Sequence, residues 1–134
     1  MELPQMDILY ISFAFFLVAT AYQYLKPKEK RNYASLSVEE SFDRLKESND
    51  VYIIDVRRRD EFKKSHLRNA KNIPLNDFKD RLNKIPRNKD VLIYCETGAR
   101  SIRAVRYLEV SGHEHILHMK QGMRGWRKAG YPSV

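Results

Sequence analysis

Four β-prone apolar residues, Val91-Leu92-Ile93-Tyr94, run straight into the chain's single cysteine, Cys95. The polar stretch Glu96-Thr97-Gly98-Ala99-Arg100 then opens an amphipathic helix predicted to begin near Ser101. A second apolar run, Val51-Tyr52-Ile53-Ile54, ends in the same manner at Asp55. Runs that are apolar at every position suit strands buried on both faces of a parallel sheet. Helical signals lie between them. Ser37-Val38-Glu39-Glu40 has the capping-box form, with Val38, Phe42 and Leu45 on one stripe up to about Glu47. Asp60 to Lys64 reads as one helical turn, and Asn76 to Ile85 as a helix with Phe78 and Leu82 inward. After the cysteine, Ile102, Val105 and Leu108 face the core until Ser111-Gly112 ends the helix. Short strands are predicted at Tyr33 to Leu36, Lys71 to Ile73 and His115 to Met119. Strands and helices alternate, so the predicted class is α/β, a small parallel sheet flanked by helices on both faces.

The position of Cys95 carries chemical meaning. In an open α/β sheet the carboxyl ends of strands face the ligand crevice, and both Asp55 and Cys95 fall at such ends. A loop wrapped before a helix N-terminus directs backbone N–H groups and the positive end of the helix dipole at one spot. A free thiol ionises near pH 8.5, so half ionisation at pH 7 needs about 2 kcal/mol, within reach of a partly buried helix terminus and a few N–H donors. Glu96 opposes the thiolate and is expected to point outward, while Arg100 favours it. The alternative is a small inert core cysteine at a strand end. Asp55 and Arg57 are expected to support the site, either by hydrogen-bonding loop amides or by steering anions.

The order and spacing of several short motifs resemble the rhodanese family from about Ser35 onward. They are Asp55-Val56-Arg57, Glu61-Phe62, His66-Leu67, Ala70 with Asn72-Ile73-Pro74, Tyr94-Cys95 with Gly98 and Arg100-Ser101, Gly112 with Ile116, and Gly122, Trp126 and Ala129-Gly130-Tyr131-Pro132. The resemblance implies a sulfurtransferase that carries a sulfane sulfur on Cys95 as a persulfide. It also implies a pocket lined by the amides of Glu96, Thr97, Gly98, Ala99 and Arg100, continuing to Ser101. The donor would be thiosulfate, a polysulfide or a persulfide, and the acceptor cyanide or a thiol. Cysteine phosphatases and arsenate reductases of the same fold use a Cys-x5-Arg loop for a tetrahedral oxyanion. Cys95 and Arg100 are one residue closer, which suits a sulfur atom better. A further alternative is a catalytically silent module of this family that docks a membrane partner. Ser65 and Asn69 stand where the family usually has glycine, and Gln121 where it often has a second glycine. Asn69 can take the left-handed backbone conformation.

All 25 lysines and arginines lie after Leu25, against 15 of the 17 acidic residues, so that part of the chain carries +10. Such a charge fits an anionic membrane surface or substrate. No zinc-finger, helix-turn-helix or RNP-like pattern accompanies it, and no nucleic-acid partner is expected. Arg103 and Arg106 are placed near the rim of the site. His113-x-His115-x2-His118 splits across two faces of a strand, so neither a metal nor a cofactor is expected. With one cysteine there is no internal resolving thiol, and a persulfide would pass to an external acceptor.

From Ile8 to Leu25 the chain has no charged residue. As a helix this run spans about 27 Å, close to the thickness of a hydrocarbon core. Tyr10 at one end and Tyr22 and Tyr24 at the other fit interfacial anchors, and Lys26, Lys28, Lys30 and Arg31 follow. Ala19-Thr20-Ala21 resembles a signal-peptidase site, but Glu2 and Asp7 stand where a signal peptide has basic residues. An uncleaved anchor is therefore expected, with residues 1–31 as anchor and basic tether and 32–134 as the folded domain. The positive-inside rule then puts the N-terminus outside the plasma membrane and the cysteine domain in the cytoplasm, where a lone reduced thiol belongs.

Overall fold

In the computed structural model, residues 5–28 and 30–134 are described; Glu2, used above to weigh anchor against signal peptide, and Glu29 lie outside them. The chain divides into two compact units, Met1–Lys30 and Arg31–Val134. The first contains helix α1, Gln5–Leu25, which buries none of its residues and includes an 18-residue window with a mean hydropathy of 1.6. Its 21 residues give a length of about 32 Å. It is long and apolar enough to cross a membrane.

The second unit is a five-stranded parallel sheet in the order β1-β5-β4-β2-β3. The strands are β1 (Tyr33–Leu36), β2 (Val51–Asp55), β3 (Lys71–Asn72), β4 (Asp90–Tyr94) and β5 (Ile116–Met119). Helices α2 (Val38–Glu47) and α6 (Gly122–Lys128) contribute to one apolar layer, α4 (Leu75–Phe78) and α5 (Ala99–Val110) to the other. The alternation of β4 divides these layers. Val91, Ile93 and Cys95 pack with Phe78, Val105 and Leu108, whereas Leu92 and Tyr94 pack with Val38, Met123 and Trp126. Helix α2 has the expected capping box, with the Ser37 hydroxyl accepting from the Glu40 N–H at 3.1 Å and the Glu40 carboxylate accepting from the Ser37 N–H at 2.7 Å.

Several boundaries differ from the sequence reading. The helix anticipated from Asn76 to Ile85 is α4 followed by a 3-10 turn, Lys79–Lys84. Pro86 forbids continuation, and the buried Ile85 leaves the turn extended, its N–H donating to the Leu82 carbonyl at 3.2 Å. Helix α3 (Arg59–Lys64) ends at Ser65, whose backbone is extended, so no glycine is needed there. Asn69 takes a φ of 65°, the left-handed region open to asparagine. His115 is left out of β5.

Candidate active site

The chain leaves β2 toward one edge of the sheet and β4 toward the other, so the carboxyl ends of these adjacent strands flank the crevice. Cys95 is the first residue past β4. The turn after it depends on Gly98, whose φ of 96° is in glycine's region and where a Cβ would collide with the Lys120 carbonyl. The Gly98 carbonyl accepts from the Ile102 N–H at 3.1 Å, so α5 starts at Ala99, earlier than the expected Ser101. The Ser101 amide therefore belongs to the first turn, where N–H groups lack an acceptor within the helix.

That amide turns to the sulfur. Cys95 Sγ accepts from the Gly98 N–H at 3.1 Å, from the Ser101 N–H at 3.3 Å and from the Ser101 hydroxyl at 3.3 Å. The expected ring of amides from Glu96 to Arg100 is thus narrower. Among the described residues, those of Glu96, Thr97, Ala99 and Arg100 make no hydrogen bond to the thiol. The other side of the loop rests on the start of α6. Met123 N–H donates to the Cys95 carbonyl at 2.8 Å and Arg124 N–H to the Glu96 carbonyl at 3.0 Å. Gly122 makes this approach possible, because a Cβ there would stand 2.5 Å from the Cys95 carbonyl oxygen.

Charged side chains tie the loop to its surroundings. Glu96 does not point freely outward. It accepts from Arg57 Nη1 at 3.2 Å and also from Arg127. Arg57 is buried with Asp55, donating to both carboxylate oxygens from Nε and to Oδ2 from Nη2 at 2.8 Å, while Nη2 also reaches the Ser65 carbonyl. Burial works against the charge of Arg57, but the hydrogen bonds and field of Asp55 outweigh it and raise the pKa above its ordinary value. Arg57 therefore braces the crevice and leaves no exposed charge to steer anions. Arg100 is held by Glu61 in a two-pronged pair of 2.7 and 3.0 Å. Arg100's hydrogen bonds hold the Glu61 pKa down to about 2.

Cys95 is fully covered, with 0% of its surface exposed. The sulfur that the Gly98 and Ser101 amides hold lies in the same apolar layer as Ile93, Ala104 and Val105.

A family model, the rhodanese-like domain, matches residues 38–129. The chain belongs to the rhodanese-like family. A sulfurtransferase of Allochromatium vinosum is 34% identical over 91 residues, which cover 68% of this chain and 85% of that protein. The crystal structure of a rhodanese-like domain protein from Staphylococcus aureus superimposes with a TM-score of 0.65 at 35% identity, covering 69% of this chain and 90% of that one. That of a rhodanese-related protein from Thermoplasma volcanium gives a TM-score of 0.70 at 27% identity, covering 76% and 98%. Family and relatives support a sulfur-transfer role at the level of the family.

The rhodanese-like domain also contains a residue beside the site that sequence reasoning missed. His118, considered above only with two other histidines, lies behind Ser101, its Nε2 2.7 Å from the hydroxyl oxygen. His113 binds the Ser111 hydroxyl and the Ile85 carbonyl, and His115 is exposed. His66 holds the Phe62 carbonyl at 2.7 Å and stacks on the Phe62 ring, a loop role. Trp126 is buried and donates to the Pro132 carbonyl, anchoring α6 as expected. Arg103 and Arg106 are exposed on α5. No local pattern marks the contact of His118 with Ser101, because it depends on β5 lying beside β4.

Proposed function

We propose that residues 32–134 form a sulfurtransferase domain with Cys95 as nucleophile, and that residues 1–31 anchor it to the membrane. Glu96, Thr97, Gly98, Ala99, Arg100 and Ser101 form the substrate loop, braced by Asp55 and Arg57. The observation that carries this reading is the convergence of two backbone amides and a hydroxyl on one sulfur at a helix start. In the first transfer the Cys95 thiolate attacks the outer sulfur of thiosulfate. The bond from Sγ to that sulfur forms, the S–S bond of thiosulfate breaks, and sulfite leaves with the electron pair. A polysulfide or low-molecular-weight persulfide reacts in the same way, expelling the shortened sulfide or thiolate. In the second transfer cyanide or a thiolate attacks the outer sulfur, departs as thiocyanate or a persulfide, and regenerates the Cys95 thiolate.

Mass spectrometry of the full chain after thiosulfate or polysulfide treatment tests this. A gain of one sulfur that disappears in Cys95→Ser is expected, and no gain with any sulfane donor refutes the reading. The cover over Cys95 favours a second reading, a silent module that docks a membrane partner. On that reading iodoacetamide leaves native Cys95 unmodified across pH, whereas a loop that opens to substrate also admits the reagent.

For the anchor, the basic residues Lys26, Lys28, Lys30 and Arg31 follow the apolar helix and favour a cytoplasmic location of the domain. A reporter fused after Val134 that is active only on the outer side of the plasma membrane would reverse that orientation.

A further inference from the structure

Ser101 has one hydroxyl proton and three acceptors around it. Its oxygen lies 3.3 Å from Cys95 Sγ, 3.2 Å from the Gly98 carbonyl oxygen and 2.7 Å from His118 Nε2. The shortest of these contacts decides the others. If Nε2 is bare, it takes the serine proton and the sulfur loses a donor. If Nε2 carries hydrogen, it donates to the serine oxygen and that oxygen's own proton is left for the sulfur or the carbonyl.

We propose that His118 is a positioning residue for the sulfur carrier, a neutral imidazole protonated at Nε2 that fixes the Ser101 hydroxyl as third donor to the Cys95 thiolate. This rests on the reading of Cys95 as the sulfur carrier. Burial works against a charged His118 and lowers its pKa, an effect that the Gly98 carbonyl partly offsets, so the ring is neutral at pH 7. The other facing groups agree. Tyr33 of β1 stands nearly perpendicular to the imidazole, with centroids 6.3 Å apart. Among the described residues no carboxylate lies within ion-pair distance of His118, and Cys95 is the titratable group reached through Ser101. Between the two remaining acceptors, an ionised sulfur outcompetes a neutral carbonyl for the serine proton. No net proton transfer is involved; His118 keeps its hydrogen and Ser101 keeps its own.

The test measures iodoacetamide alkylation of Cys95 against pH in the full chain in detergent micelles, beside sulfur gain from thiosulfate or polysulfide by mass spectrometry. His118→Phe is expected to raise the alkylation midpoint by about one pH unit, the size of one charge-assisted hydrogen bond. Ser101→Ala should raise it equally, the double variant no further, and His118→Gln, which keeps an amide N–H, should restore most of the shift. An unchanged midpoint in His118→Phe, or fully additive single shifts, overturns the proposal. If His118→Phe does not fold, 15N shifts of the wild-type imidazole decide, since a hydrogen-free Nε2 overturns it and a protonated Nε2 supports it. Sulfur gain with an unmoved midpoint sinks this inference alone; a shifted midpoint without sulfur gain sinks the transferase reading alone.

Discussion

The carboxyl ends of β2 and β4 lie side by side, and both finish an apolar strand with a buried group able to bear negative charge. They treat that charge in opposite ways. The fold gives Asp55 its own cation, Arg57, at 2.8 Å. Among the described residues Cys95 has no such cation, and its hydrogen-bond partners are neutral donors from Gly98 and Ser101. A buried ion pair is costly to disturb and so suits a brace. Neutral donors stabilise a thiolate without locking it to one partner, and the proposed transfer needs such a sulfur, one that can gain and lose a second sulfur atom.

The largest effect is expected at the brace. Arg57→Ala leaves Asp55 buried and uncompensated and should cost about 3–5 kcal/mol in urea unfolding. Replacing both partners, Asp55→Asn with Arg57→Met, should cost less than the single change, and a larger loss in the double variant would break the contrast between the two strand ends. Gly98→Ala acts on the other end. The left-handed backbone alone costs about 1–2 kcal/mol, and the Lys120 carbonyl stands where the new methyl must go. Because the Gly98 amide must move, this variant should also slow alkylation of Cys95, which Arg57→Ala affects only through unfolding.

Tyr94 sharpens the comparison from the opposite face of β4. Its hydroxyl accepts from the Leu67 N–H at 3.0 Å, and burial above all pushes its pKa up from the ordinary value. Tyr94→Phe should cost about 1 kcal/mol by leaving that N–H without a partner. Cys95 reactivity should stay unchanged. The smallest effect is at Glu61, whose pKa is held near 2 by Arg100. A depressed carboxylate pKa stabilises the fold above its ordinary value of 4.5, and the contribution fades as pH falls toward 2. Glu61→Gln should therefore be less stable than wild type at pH 6 by about 1 kcal/mol, since the pair is partly exposed, with the gap closing between pH 4.5 and 2.

Much of the fold was legible because it follows from local periodicity. The two unbroken apolar runs became adjacent central strands, the capping box at Ser37 formed, and Asn69 took the turn conformation open to it. Where two effects competed locally, the reading slipped, as at the 3-10 turn before Pro86 and at the start of α5, where Gly98 begins the helix early. The candidate site was legible as a position and less so as a set of contacts. Glu96 looked like an outward charge because nothing near it in sequence reveals Arg57 or Arg127.

The sequence alone determined that a lone cysteine would stand at the carboxyl end of a buried strand, before a helix, behind an uncharged apolar segment. Such features depend on the order of residue types along a few turns of chain. Only the tertiary structure decided which donors reach the sulfur, that His118 stands behind Ser101, and that the thiol is fully buried. Those outcomes depend on sheet order and register, which bring side chains from separate strands and helices within hydrogen-bond distance, and short-range patterns do not encode them.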